Sequence, residues 1–339
     1  MYPEASDISA LIEQAHHIVI LQADNPDGDS LGSALALEGI LGDMGKEPYL
    51  YCGVDMPAHL RYLPGWDRVS NELPSGFDLS IIVDTSSISL FEQAKKTGDL
   101  QRVSSKPVVV LDHHQEVENS LDFAKIVCNK PAVATGEIIY ELAKQLNWPL
   151  NHEAMYAIAV SILSDSLGLM TDATTARSIH VIAELVEQGV KLPEIENLRR
   201  ALNRKSPSLT RYKGQLLQRV EYHADDRVAT VTIPWDEIEK YSPEYNPSVL
   251  VLDEMRMTIN TAVAIAFKVY SDGKVTGKIR CNYGSPVASK LAEHFGGGGH
   301  PYASGFKIQD KTPIADIKAA CVAKTIELLN NLKQSNEAV

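Results

Sequence analysis

The sequence predicts an α/β protein: an N-terminal parallel-sheet domain followed by a smaller C-terminal α+β domain. Three observations predict it. Short, nearly continuous apolar runs recur at residues 17–21, 49–52, 79–83 and 108–111, as strands read when both faces of a parallel sheet are covered. Helical patterns alternate with these runs, as in a chain of βαβ units. Beyond residue 208 the pattern changes character, and 339 residues are more than one ordinary core accommodates.

In chain order, residues 7–15 read as a short helix with Ser6 as its N-cap. Residues 17–21 follow as a buried strand and 30–44 as a helix rich in small residues. The runs at 49–52, 79–83 and 108–111 supply three more strands, and residues 133–146, 152–163 and 175–188 are helical in pattern. Residues 1–188 thus form the first domain, and the charged stretch 189–212, with Pro193 and Pro207, reads as a partly helical connector and hinge. In the second domain, residues 213–335, the stretch 228–233 alternates like a strand and 248–260 looks helical. Residues 262–270 and 275–281 form a hairpin around Ser271-Asp272-Gly273-Lys274, a turn-forming group. A short helix at 286–295, a glycine run, a strand near Phe306 and a terminal helix over 313–332 complete the chain.

Forty-four acidic residues against 32 lysines and arginines give a formal charge of −12, which disfavours a grip on duplex DNA and favours a small anionic ligand. Cys52, Cys128, Cys281 and Cys321 are far apart, so neither a zinc knuckle nor a disulfide framework is expected. The first apolar run is too short to export or span a membrane. A cytoplasmic protein without membrane partners is therefore expected, with a homodimer left open.

Three polar clusters follow three of the predicted strands: Asp24-Asn25-Pro26-Asp27-Gly28-Asp29, Asp84-Thr85-Ser86 and Asp112-His113-His114. Each has a plain reading as a turn, an N-cap or a half-buried histidine pair. Together they fall at the carboxyl ends of parallel strands, where such sheets bind ligands. Carboxylates and imidazoles gathered at one point repel unless a cation joins them, and hard oxygen donors with some imidazole suit Mn²⁺ or Mg²⁺.

At these residues the sequence resembles the DHH phosphoesterase family, in particular members with a C-terminal DHHA1 domain. Asp112-His113-His114 is similar to its namesake motif, Asn25-Pro26-Asp27-Gly28-Asp29 to its first, Asp84 to its second and Asp165 to its fourth. Gly296-Gly297-Gly298-Gly299-His300, with Ala303-Ser304-Gly305, resembles the DHHA1 signature. The resemblance implies an active site in the cleft between the domains and two ions, Mn²⁺ or Mg²⁺. Asp84 would bridge them, Asp27 would hold the first, and Asp29, His113 and Asp165 the second. His114 would act on the phosphate or its proton, with Asp112 orienting the histidines. Arg280, Gly297, Gly298, Gly299 and His300 would bind substrate.

One position departs from the family pattern. Ala23 stands where a histidine is usual, two residues before the Asn-Pro-Asp motif, so the first seat is expected to hold its ion more weakly. The implied reaction is hydrolysis of short oligoribonucleotides or linear dinucleotides to 5′-mononucleotides by metal-activated water. The alternatives are removal of the 3′-phosphate from phosphoadenosine phosphate, or a nucleotide sensor that has lost catalysis through Ala23.

Overall fold

The computed structural model describes residues 2–115, 120–202 and 204–337. The chain divides into two compact units, Met1–Arg204 and Lys205–Val339.

The first unit runs α1 (Ala5–Gln14), β1 (His17–Gln22), α2 (Gly28–Asp43), β2 (Glu47–Cys52), β3 (Leu79–Val83), α3 (Glu92–Thr97), α4 (Asp99–Ser104), β4 (Val108–Asp112) and β5 (Ile126–Asn129). Four helices follow: α5 (Thr135–Leu146), α6 (His152–Asp165), α7 (Ala176–Glu187) and α8 (Leu192–Leu202). The five strands form one all-parallel sheet in the order β2-β1-β3-β4-β5. Alternate strand residues point to opposite faces. Ile18, Ile20, Ile81 and Val109 pack with α1, α2, α5, α6 and α7, while Val19, Leu21, Ile82 and Val110 pack with Phe91, Ala94, Leu100 and Val103 beneath α3 and α4. Both faces are covered, which is why the strands read as nearly continuous apolar runs.

The first helix corrects one expectation. It begins at Ala5 with Glu4 in the cap position and no side-chain cap, so Ser6 lies inside it. The apolar spacing Ala5, Ile8, Leu11, Ile12, all buried, draws the helix start forward. Helix α2 is set tightly against α6. A Cβ on Gly32 would lie 2.7 Å from the Ala157 carbonyl oxygen and 3.0 Å from Ser161 Cβ, so only glycine fits there.

The stretch expected as a connector carries two helices, α8 before Arg204 and α9 after it, and Asn203 within it lies outside the described residues. Ile195 of α8 belongs to the core of the first unit. The second unit runs α9 (Pro207–Gln218), β6 (Glu221–His223), β7 (Val228–Ile233), α10 (Trp235–Tyr241), α11 (Pro247–Arg256), β8 (Val263–Val269) and β9 (Val275–Cys281). It closes with α12 (Ala288–His294), β10 (Gly298–His300), β11 (Ala303–Ile308) and α13 (Ile314–Glu337). Its mixed sheet has the order β10-β11-β9-β8-β7-β6, with only β7 and β8 parallel. Val263, Ile265, Phe267 and Ile279 pack with α12 and α13 on one face; Ala229, Val231, Ala264 and Ala266 pack with α9, α10 and α11 on the other.

Candidate active site

In the strand order 2-1-3-4-5 the connections change direction between β1 and β3, and the carboxyl ends there frame a crevice. The three polar clusters meet at that edge. Asp84, just past β3, has a φ of 64°, a left-handed conformation that Asp tolerates better than most residues. Its Oδ1 accepts a hydrogen bond from Thr135 Oγ1 at 3.3 Å and lies 3.4 Å from His113 Nε2.

His113 is held from behind: its Nδ1 donates to the Ala132 carbonyl at 3.1 Å. Nε2 therefore faces three carboxylates, Asp165 at 3.3 Å, Asp84 at 3.4 Å and Asp29 at 3.5 Å. Burial lowers the pKa of this imidazole, but the carboxylates outweigh it and hold it at about 11. Burial, then the charge of Asp29, push Asp84 well above the usual carboxylate range. Even so, buried Nε2 makes no well-oriented hydrogen bond to any of its three neighbours. The donors of Asp29, His113 and Asp165 lie within 4.8 Å of one another. An orphaned imidazole nitrogen among converging carboxylate oxygens fits a divalent cation.

Asp29 is fully buried, and its position is fixed from several sides. Oδ1 accepts from Ser33 Oγ at 2.9 Å and Ser161 Oγ at 2.6 Å, and Oδ2 from the Thr135 backbone N–H at 2.8 Å. Helix α5 has no side-chain cap of its own, so Asp29 completes its N-terminus from α2. Ser33, Ser161 and Thr135 escaped the sequence reading. Ser33 had a signal, its i+4 spacing from Asp29 on one helix; the other two are brought in only by tertiary packing.

Asp112, also fully buried, orients His114 rather than both histidines. Its Oδ1 accepts from the His114 backbone N–H at 3.1 Å and from Nδ1 at 2.8 Å, and its Oδ2 accepts from Ser86 Oγ. Burial alone would raise the Asp112 pKa; the bonds from His114 and Ser86 outweigh it and hold the carboxyl below its usual range. The bond to Asp112 raises His114 in turn. The His114 side chain, 46% exposed, lines a cavity of about 150 Å³ with Ala23, Asp27, Ser30, Asp84 and Ser86.

The first seat has fewer donors. Asp27 caps α2, its Oδ1 accepting from the backbone N–H of Asp29 and Ser30 at 3.0 Å each. Ala23 lines the same cavity and has no donor atom in its side chain. Asp24 does not stand in for the usual histidine: its Oδ2 accepts from the Gln93 backbone N–H at 2.8 Å, in the first turn of α3. His16 and His17 meet Glu47 at 3.3 Å each, exposed at the other end of β1.

In the second unit the residue pairings His300↔Ala303 and Ala303↔Arg280 place His300 and Arg280 in one row across β10, β11 and β9. Gly298 and Gly299 form strand β10 with His300, and at Gly297, just before it, a Cβ would lie 2.2 Å from the Gly305 carbonyl oxygen. Gly298 and Gly299 pair with Gly305 and Ser304.

Residues 17–171 match the N-terminal domain of the DHH family and residues 240–330 the DHHA1 domain. The chain belongs to the DHH family and carries a DHHA1 domain. It is similar to the bifunctional oligoribonuclease and PAP phosphatase NrnA of Bacillus subtilis (strain 168), 25% identical over 311 residues, covering 90% of this chain and 94% of that one. The protein of the same name from Thermus thermophilus is 29% identical over 291 residues, covering 83% of this chain and 81% of the relative. An exopolyphosphatase-related protein from Bacteroides fragilis shares the fold, with a TM-score of 0.74 at 19% identity over 98% of this chain and 96% of its own. The exonuclease RecJ bound to manganese matches with a TM-score of 0.51 at 16% identity, over 96% of this chain and 95% of its own. Among the described residues no helix is long and apolar enough to cross a membrane.

Proposed function

We propose that the chain is a Mn²⁺-dependent phosphoesterase that hydrolyses short oligoribonucleotides or linear dinucleotides to 5′-mononucleotides, with water as the nucleophile. The observation that carries this reading is the orphaned His113 Nε2 with three carboxylates within 3.5 Å, at the ligand-binding edge of a parallel sheet. Asp29, Asp84, His113 and Asp165 would hold one ion, and Asp84 and Asp27 a second, weaker one beside Ala23. A divalent cation in such a site supplies Lewis acidity toward a phosphate oxygen and lowers the pKa of a water molecule. The protein's own part is positional. Ser33, Ser161 and the start of α5 hold the Asp29 carboxylate in place. The Ser86–Asp112–His114 chain turns a half-exposed imidazole toward the cavity, where it donates a hydrogen bond to a phosphate or moves a proton. Arg280, Gly297, Gly298, Gly299 and His300 hold a further phosphate of the substrate.

Two other readings each rest on one observation. The relatives are named PAP phosphatases as well as oligoribonucleases, which favours 3′-phosphate removal from phosphoadenosine phosphate as a second activity. Ala23, which lines the cavity without a donor side chain, favours a sensor that binds nucleotide without turnover. Incubation with Mn²⁺ and a panel of linear diadenylate, a three-nucleotide RNA and phosphoadenosine phosphate separates them by product. Release of 5′-mononucleotides supports the diesterase, adenosine monophosphate from phosphoadenosine phosphate alone supports the phosphatase, and tight binding without product supports the sensor.

A further inference from the structure

The amino end of the N-terminal sheet carries a second group of metal-ligating side chains, at the opposite end of β1 from the catalytic crevice. Helix α1 ends at Gln14, and β1 opens on His17 with His16 just before it. Neighbouring residues of a regular strand point to opposite faces. These two imidazoles instead converge, edge to face, with ring centroids 4.9 Å apart. His16 Nε2 lies 3.3 Å from Glu47 Oε1, and His17 Nε2 lies 3.3 Å from Glu47 Oε2. Donor atoms of all three residues lie within 4.8 Å of one another.

The backbone builds this convergence. Glu47 opens β2 as the register partner of His17, and its N–H donates to the His16 carbonyl at 2.8 Å. From the other side, the Asp78 N–H donates to the His17 carbonyl at 2.8 Å, and its Oδ2 accepts from the N–H groups of His16 and His17 at 2.9 Å each. The histidine pair is thus clamped between β2 and the residue before β3. The same Oδ2 stands 3.6 Å from His17 Nδ1. A carboxylate there favours the tautomer with its proton on Nδ1, which leaves Nε2 free to bind a cation. Lys46 is occupied by the Glu13 and Ala15 carbonyls. Among the described residues, no lysine or arginine lies within 4.0 Å of the Glu47 or Asp78 carboxylate.

We propose that His16, His17 and Glu47 form a Zn²⁺ site with its fourth position open to water. Two imidazoles and one carboxylate beside an open position are a donor set that zinc takes. Imidazole suits zinc better than the hard Mn²⁺ or Mg²⁺ that carboxylate oxygens favour. The distances agree: ligand atoms about 2.0 Å from a tetrahedral ion stand about 3.3 Å apart, whereas hydrogen bonds from a ring nitrogen are usually shorter. The six residues of β1 separate this site from the catalytic crevice by about 20 Å. Bound zinc ties the junction of α1 and β1 to the edge strand β2, and so stabilises the unit without taking part in hydrolysis. This site does not rest on the proposed function.

The test uses full-length, chelator-stripped protein carrying His113→Ala, which takes the imidazole out of the catalytic centre. Isothermal titration with Zn²⁺ shows an equivalent bound at this site, and Co²⁺ gives visible absorption bands that Zn²⁺ abolishes. Adding His16→Ala, His17→Ala or Glu47→Gln removes both signals. Adding His180→Ala, an exposed histidine on α7, leaves them in place. Asp78→Asn, which acts through His17, weakens Zn²⁺ binding by about 10- to 100-fold. In the protein with an intact His113, His16→Ala keeps the Mn²⁺-induced rise in Tm, which separates the two sites. No Zn²⁺ uptake by the parent, or uptake and Co²⁺ bands that persist in both His16→Ala and His17→Ala, overturns the proposal. If the wild-type protein turns over no phosphate ester while Zn²⁺ uptake through His16 and His17 persists, the catalytic reading falls and the zinc site stands.

Discussion

Binding of Mn²⁺ to the centre around His113 should raise the thermal stability of the Met1–Arg204 unit by a measurable amount. Donor atoms of Asp29, His113 and Asp165 lie within 4.8 Å of one another, a separation at which two carboxylate charges repel by about 3.5 kcal/mol for an effective dielectric near 20. Without an ion the protonated His113 offsets part of that repulsion, and a divalent cation takes the place of that proton and offsets more of it. An ion that binds only the folded state stabilises by about 2.7 kcal/mol when its free concentration is a hundred times its Kd. For a unit of this size one kcal/mol moves Tm by about 2–4 °C, so the expected rise is about 5–11 °C. Differential scanning calorimetry of chelator-stripped protein, with and without Mn²⁺, measures it. His113→Ala removes the nitrogen on which the carboxylates converge, and the rise should fall below about 2 °C, whatever the variant's own Tm. A rise as large in His113→Ala as in the wild type, or none in the wild type, refutes the assignment of these side chains as ligands.

Three further expectations follow from the same geometry. Asp112→Asn keeps the shape but weakens the charged partner of His114; losing about 1.5–3 kcal/mol lowers kcat by about 10- to 150-fold, with KM and the Mn²⁺-induced Tm rise unchanged. Ala23→His adds an imidazole beside Asp27 and Asp84, and isothermal titration should show a tighter second equivalent of Mn²⁺; an unchanged isotherm removes position 23 from the metal site. Gly32→Ala drives a methyl group onto the Ala157 carbonyl and should cost about 1–3 kcal/mol in urea unfolding, with weakened Mn²⁺ uptake because Ser161 on the same wall holds Asp29.

Much of the fold was legible because burial wrote it into local pattern. Strands β1, β3 and β4 are covered on both faces, so their sequences are nearly continuous in apolar residues, and the hairpin at Asp272-Gly273 carries its turn chemistry in the chain. What escaped lacked such a mark. Strand β5, Ile126–Asn129, is four residues long and mostly half-buried. Helices α3 and α4 span six residues each and bury one or two side chains apiece. Helix α9 was hidden in an apparent connector, although Leu209, Tyr212 and Leu216 have the spacing of one buried helix face. At the site, the namesake motif and the strand-end carboxylates could be found from the sequence. The division of labour between the histidines could not: His113 is turned by the Ala132 carbonyl and His114 by Asp112, and the first of those is a backbone contact that no residue type announces. The strand made by the glycine run escaped for a similar reason. Gly297 and Gly299 are required by the close approach of β11, which only the folded sheet reveals.

The central claim is that phosphate-ester hydrolysis depends on the ion-binding carboxylates gathered at His113. The direct measurement is release of mononucleotide from linear diadenylate by chelator-stripped protein, by the same protein reloaded with Mn²⁺, and by reloaded Asp84→Asn. The account predicts product only from the reloaded wild-type protein. Turnover that survives chelation, or that persists in Asp84→Asn, would contradict it.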